Sequence, residues 1–195
     1  TVCSGLISER LWEFIPKNEK IVLNRLKKAN INFEKSTMGI DFEPKMMVVS
    51  RKKLDQYAAG LAKKAGATII TGAEFSKLFD FGGKRPQISV KKGGKKLIFE
   101  FDYVIGCDGP NSRMRKELNL KEPKQKLGLY FYQKSRKLPN NIEIYPTEEG
   151  FCWSIPRKNN VEYGVMEDIE YAKRELDEFC RKNRIKKGKH HSSLI

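Results

Sequence analysis

Apolar and polar positions along this chain repeat with two different periods. The clearest helical period follows Ser50. Leu54, Tyr57, Ala58, Leu61, Ala62 and Ala65 fall at i, i+3, i+4, i+7, i+8 and i+11, which lines one face of a helix. Ser50 stands where an N-cap belongs, and Gly66 stands where a left-handed residue closes a helix. Short apolar runs at 46–49 and 67–71 flank it, so the pattern predicts strand, helix, strand, a βαβ-like unit. A second helix is predicted behind Asp168 as its cap, with Ile169, Ala172, Leu176, Phe179 and Cys180 on one face. Ser8 predicts the cap of a short helix over 9–15, stopped by Pro16.

Period-two alternation takes over elsewhere. Residues 74–81, 87–92 and 96–101 read as three strands in series, the last two joined by Gly93-Gly94, a hairpin turn that accepts positive φ. Residues 20–34 fit both periods. Ile21, Val22, Leu26 and Ala29 suit a helix, while Ala29, Ile31 and Phe33 alternate like a strand. Beyond Glu122 the runs 128–133, 142–145, 151–155 and 162–166 predict short antiparallel strands. Residues 181–195 are basic and are expected to be a loose tail. The fold class expected is mixed α/β (α+β).

Composition narrows the partners. The 195 residues are 39% apolar and 32% charged, the balance of a packed domain rather than a disordered chain. Thirty-nine Lys and Arg against 24 Asp and Glu give a net charge of +15, which favours anionic partners: nucleic acid, acidic membrane surface or phosphorylated ligands. The lysines come as scattered pairs (27-28, 52-53, 63-64, 91-92, 95-96) rather than one block, so no nucleic-acid partner is expected. Cysteines at 3, 107, 152 and 180 make no CxxC pair, and His190 with His191 on a strand or loop would point apart, so no metal site is expected. The cysteine spacing offers no disulfide framework, which points to a reducing compartment. No apolar run approaches the ~20 residues of a membrane-spanning helix.

The stretch FDYVIGCDGPNSRMR, residues 101–115, carries the densest chemistry. An apolar run enters Gly106-Cys107-Asp108-Gly109, which predicts a strand over 103–106 with Asp108 at its carboxyl end, where open α/β sheets bind ligands. Gly106 and Gly109 leave room for a ligand against the backbone, and Asp108 can accept hydrogen bonds from a sugar or ribityl hydroxyl. Ser112 can cap the next helix, and Arg115 can pair with a phosphate or with Asp108. A plain strand-to-helix turn explains the same Asp and Gly.

This stretch resembles the second dinucleotide motif of FAD-dependent monooxygenases and their relatives, with Asp102, Tyr103-Val104-Ile105, Gly106-Cys107, Asp108-Gly109, Ser112 and Arg115 filling its slots. VCSGLISER, from Val2, is similar to the Cys-Ser-Gly segment of the geranylgeranyl reductase family, the digeranylgeranylglycerophospholipid reductase-like enzymes that saturate isoprenoid chains. VVSRKKLDQYAAGLAKKAGA is similar to that family's Arg-x-x-[apolar]-Asp helix, with Arg51 and Asp55 in place. GFCWSIPRKNNVEYGV resembles its aromatic-x-Trp-x-[apolar]-Pro-[basic] segment, with Phe151, Trp153, Pro156 and Arg157. The family's GxGxxG loop and its later Gly-Asp motif are not in these 195 residues, so the resemblance implies the central piece of a larger flavoprotein.

The resemblance implies a partial Rossmann-like FAD-binding domain with a β-meander over 1–18 and 49–122. It implies an antiparallel substrate-domain sheet and helix over 19–48 and 123–180, with 181–195 a basic tail. It implies FAD as cofactor, contacted by Cys3, Ser4, Gly5, Arg51, the main chain at Phe75, Asp108 and Gly109. It implies an apolar substrate channel at Phe151 and Trp153, an isoprenoid lipid substrate, and ferredoxin or NAD(P)H as electron donor. No catalytic residue is assigned; Cys3 is the one candidate, and a small buried thiol explains it equally. The implied setting is cytoplasmic, with peripheral contact to anionic membrane. Two rivals stand: another flavoprotein such as an aromatic-ring hydroxylase, and a non-catalytic basic binding module.

Overall fold

The structure is a computed structural model, and it describes residues 3–79 and 85–195. By contacts it divides into two compact units, residues 1–65 with 125–195, and residues 66–124.

The first unit is built on an eight-stranded sheet. In chain order its strands are β1 (Leu6–Ser8), β2 (Val22–Asn32), β3 (Thr37–Val49), β7 (Leu127–Lys134), β8 (Ile142–Pro146), β9 (Phe151–Pro156), β10 (Asn160–Glu167) and β11 (His191–Leu194). Their order across the sheet is β1-β3-β2-β8-β9-β10-β7-β11. Every neighbouring pair is antiparallel except β2 and β8. The ambiguity at 20–34 resolves as strand, because β2 finds partners on both sides. The predicted run at 46–49 is the end of a much longer strand. Pro44 hid the rest: it sits where residues 42–45 of β3 face little more than Lys27, a bulge that needs no ladder N–H. The basic C-terminal segment is not loose. Its residues His191 to Leu194 add the outermost strand, paired with β7 from Tyr130 to Leu127.

Three apolar clusters hold this unit. Met47, Val48 and Val49 are all buried in succession because both faces of the sheet are covered there. Val48 joins Leu26, Ala29, Tyr130, Ile142, Trp153 and Ile155. Met47 and Val49 join Ile21 and Leu54, the one buried residue of α1 (Arg51–Lys64). Helix α3 (Ala172–Lys182) seats Ala172, Leu176, Phe179 and Cys180 on Phe131, Cys152 and Val165. Its apolar face is as predicted, save Ile169, which is exposed. Asp168 is not its cap residue: the carbonyl of Asp168 closes a turn onto the Tyr171 and Ala172 amides, and the helix begins after Tyr171. Ser8 does cap, accepting from the Arg10 amide at 3.3 Å, although the turn it starts over Glu9–Glu13 is a 3-10 helix.

The second unit carries the β-meander as predicted. Strands β4 (Ala73–Phe79), β5 (Gln87–Lys92) and β6 (Lys95–Glu100) form one antiparallel sheet, followed by the short helix α2 (Arg113–Glu117). Gly93 and Gly94 turn the β5–β6 hairpin with φ of 55° and 77°. The predicted ends of the first strand at Asp80 and Phe81 lie outside the described residues. Two strand predictions fail. Residues 67–71 and 103–106 form no strand among the described residues, and Ile70, Tyr103 and Ile105 are exposed. An apolar run becomes a strand only where a neighbour completes its ladder, and these two runs have none here. The βαβ-like unit is therefore not formed, although Gly66 closes α1 with φ of 94° as predicted.

Close packing makes a clear prediction. A methyl group on Gly164 would lie 2.4 Å from the Trp153 ring and 2.7 Å from the Leu129 carbonyl. Gly164→Ala should cost about 1–3 kcal/mol in urea denaturation. Gly60→Ala, in the interior of α1 with open space around it, should instead stabilise by about 0.5–1 kcal/mol.

Candidate functional site

The predicted residues fall into groups, each within its own unit. In the first unit β1 leads back into Cys3-Ser4-Gly5, and β3 leads forward into Ser50 and Arg51. The two ends meet because the Gly5 carbonyl accepts from the Val49 amide at 2.8 Å. A Cβ on Gly5 would lie 2.3 Å from the Val49 carbonyl, and its φ is +72°, so this crossing demands glycine. Arg51 begins α1 and turns towards the segment: its guanidinium donates to Cys3 Sγ at 3.7 Å and to Asp55 at 3.0 Å. Burial works against its charge, and Asp55 and Cys3 together outweigh that and raise its pKa. Its Nε is buried and has no hydrogen-bond partner. A cation at a helix N-terminus opposes the helix dipole, so the position is costly for a residue with no ligand to meet.

Arg157 supplies the link that the sequence did not announce. It follows β9 and is 8% exposed. It donates to the Ser4 carbonyl, to the Val49 carbonyl at 3.4 Å and to Glu162 at 2.8 Å. Glu162 is fully buried and accepts from the Trp153 indole N–H at 3.1 Å. The Arg157 guanidinium also lies over the Tyr132 ring, 5.3 Å from its centre. Burial pushes the Glu162 carboxyl up, opposed first by Arg157. The same burial, reinforced by Glu162, raises the Tyr132 hydroxyl. One sequence signal could have found Glu162: it is a carboxylate at the start of the run 162–166 read as a strand, five residues past an arginine.

Phe151 and Trp153 lie in the apolar cluster on one face of the sheet, with ring centres 5.9 Å apart. Trp153 is 9% exposed and spends its polar N–H on Glu162. On the opposite face, under α3, a cleft of about 400 Å³ is lined by Phe33, Tyr145, Cys152, Glu175, Phe179 and Lys182 among others. None of the predicted residues lines it.

In the second unit Asp108 is exposed and belongs to a loop, not to the end of a strand. Its carboxylate accepts from Ser112 and from the Met114 amide at 3.1 Å, and these hold its pKa below the ordinary 3.8. Ser112 caps α2 as predicted, accepting from the Arg115 amide at 2.9 Å. Arg115 does not pair with Asp108. It reaches Glu122 at 2.5 Å and the Pro110 carbonyl. Gly106 is small for a packing reason, since a Cβ there would meet Met114 at 2.9 Å. Gly109 has φ of +81° and open space around it, so the backbone beside Asp108 can be approached closely. At Phe75 the pairing of β4 with β5 slips by one residue, and the Phe75 carbonyl accepts from Arg113 at 3.1 Å. Cys107 is exposed.

Residues 16–191 match the model of a family described as an FAD binding domain. The chain belongs to the FAD binding domain family. Its cofactor is FAD, and each unit by itself carries residues that fit part of such a group: in the first, the buried Arg51 Nε with no hydrogen-bond partner; in the second, the open Gly109 backbone beside a carboxylate. Over 142 residues this FAD binding domain is 26% identical to the chloroplastic geranylgeranyl diphosphate reductase of Oryza sativa subsp. japonica, covering 60% of this chain and 29% of that protein. It shares its fold with a geranylgeranyl bacteriochlorophyll reductase-like protein of Thermoplasma acidophilum, at TM-score 0.87 and 20% identity over 99% of this chain and 56% of that one. The flavin-dependent halogenase CmlS has the same fold at TM-score 0.70 and 15% identity over 88% of this chain and 38% of that one. The chain thus spans under a third of the rice relative and about half of the archaeal one.

Arg157→Met leaves Glu162 buried without its cation and should cost about 3–5 kcal/mol, while Arg157→Met with Glu162→Gln should recover most of that loss. The sign with pH follows from the raised Glu162 pKa. Its contribution is fully present below the ordinary 4.5 and is lost as pH rises through the higher folded value. Without Arg157 that value climbs further, so the single variant should lie closest to the parent near pH 4.5 and furthest at pH 7 and above. Denaturant titrations at several pH values read this directly.

Proposed function

We propose that this chain is part of an FAD-dependent reductase that saturates carbon–carbon double bonds of geranylgeranyl chains in isoprenoid lipids. The observation that carries the reading is the bond from Arg157 to the Ser4 carbonyl. It joins the two segments, Cys3-Ser4-Gly5 and Trp153 to Arg157, whose sequences resemble the geranylgeranyl reductase family. The identity to the rice reductase supports the same reading.

Each residue then has a task. Cys3, Ser4 and Gly5, fixed by Arg157 and Val49, form a rigid wall that allows close approach to the flavin. Arg51 keeps one N–H available to an acceptor on the cofactor. Asp108 holds a ribityl or ribose hydroxyl with the part of its carboxylate not used by α2, beside the open backbone of Gly109. The main chain at Phe75, where the β4 ladder slips, faces the adenine. Phe151 and Trp153 supply apolar surface for a prenyl chain and exclude water. When bound, reduced FAD supplies a hydride to one carbon of the double bond while a proton reaches the other. Ferredoxin or NAD(P)H restores the reductant. The enzyme works in the cytoplasm and meets its lipid at an anionic membrane surface, to which the net charge of +15 draws it.

Two measurements on the full-length protein test this. Asp108→Ala should weaken FAD roughly tenfold or more, the scale of a lost charge-assisted hydrogen bond, with an unchanged circular dichroism spectrum. A variant as yellow as the parent would remove Asp108 from the site. Chemically reduced protein mixed with a geranylgeranyl lipid should give a product heavier by two hydrogens per double bond. An unchanged lipid, with oxygen uptake stimulated by a phenol, would place the protein with the ring hydroxylases instead.

A further inference from the structure

The β5–β6 hairpin ends in Lys91-Lys92-Gly93-Gly94-Lys95-Lys96. Cross-strand pairing sets Lys91 against Lys96 and Lys92 against Lys95. Like charges directly opposite each other destabilise a hairpin, so the fold alone gains nothing from this arrangement. Residues 91–98 are all exposed. Among the described residues none of the four lysines has an ion-pair partner. Glu74 lies opposite Lys91 on β4 but is bound by Arg113 at 2.5 Å. Lys96 rests over the Phe79 ring, 5.3 Å from its centre.

The residues just behind the lysines matter as much. Lys91, Lys96 and Ile98 share one face of the hairpin, and Lys92, Lys95 and Leu97 share the other. Ile98 is 57% exposed and Leu97 is 38% exposed. Each face therefore carries a cationic pair at the tip and an exposed aliphatic side chain one step behind it. Lysines on an edge strand often serve only to block sheet-to-sheet pairing. That explanation reaches β6 but not β5, which is paired on both sides.

We infer that this hairpin tip is the element that docks the protein on an anionic lipid bilayer. The lysines sit among headgroup phosphates, where each contributes through the negative surface potential. Leu97 and Ile98 follow into the apolar boundary beneath them, as on other interfacial elements that pair basic and apolar side chains. A nucleic acid would meet the charge but leave both aliphatic side chains in water, so the bilayer fits the whole tip. The inference rests on the membrane contact proposed above and names the surface that makes it.

Co-sedimentation of the full protein with vesicles tests it without any substrate, so its outcome is separate from that of the reductase assay. The parent should pellet with phosphatidylcholine vesicles containing phosphatidylserine and not with phosphatidylcholine alone, and added salt should release it. The variant Lys91→Gln, Lys92→Gln, Lys95→Gln, Lys96→Gln should lose roughly a hundredfold or more in partitioning, about fivefold per lysine. Lys52→Gln, Lys53→Gln, Lys63→Gln, Lys64→Gln removes the same charge from exposed positions of α1 and should retain most binding. The conservative replacement of all four hairpin lysines by arginine should retain it too. Leu97→Ser with Ile98→Ser should weaken binding while leaving its salt dependence in place. Equal loss in both glutamine variants would mean that net charge alone attracts the membrane, and would overturn the inference. So would full binding by the hairpin variant, or a parent retained by RNA but not by anionic vesicles.

Discussion

The buried contact between Arg157 and Glu162 is the constraint on which the first unit's arrangement depends. A carboxylate with no exposure is unfavourable unless its charge and its lone pairs are met. Arg157 meets the charge, and Trp153 meets one oxygen. The arginine cannot do this without reaching across to the Ser4 and Val49 carbonyls, which lie at the start of β1 and the end of β3. Satisfying Glu162 therefore also fixes the geometry of the Cys3-Ser4-Gly5 segment. A polar network that specifies one arrangement of the core is a recurring use of buried charge.

That network changes what the Trp-x-[apolar]-Pro-[basic] segment is for. Taken singly, Trp153 suggests a ring in a channel and Arg157 only fills the segment's basic slot. Together they are two ends of one buried chain of hydrogen bonds. The Trp153 ring is packed in the apolar cluster with Phe151 against it, and its indole N–H is committed to Glu162. Gly164 has to be glycine because the same ring lies across it.

The loop at Asp108 shows the converse. Every residue of the motif is present, yet four of them answer to local needs. Ser112 and Asp108 cap a five-residue helix, Arg115 pairs with Glu122, and Gly106 makes room for Met114. The rest of the carboxylate is exposed, and the backbone at Gly109 is open. The loop's own hydrogen bonds, from Ser112 and the Met114 amide, hold Asp108 in place.

Periodicity by itself determined the helical face of α3, the capping glycine after α1, the β-meander with its Gly93-Gly94 turn, and the antiparallel strands after residue 122. Each rests on interactions between residues close in the chain. The resemblance, likewise read from residues alone, pointed to the FAD binding domain family. Tertiary structure decided the rest. Strand β2 was settled by its two neighbours, the C-terminal strand by a place beside β7, and the apolar runs at 67–71 and 103–106 by the lack of a partner among the described residues. The pairing of Arg157 with Ser4, 153 residues apart, could be seen only after the sheet had brought the two ends together. A ladder or a buried ion pair needs a second member, and sequence pattern reports only on the first.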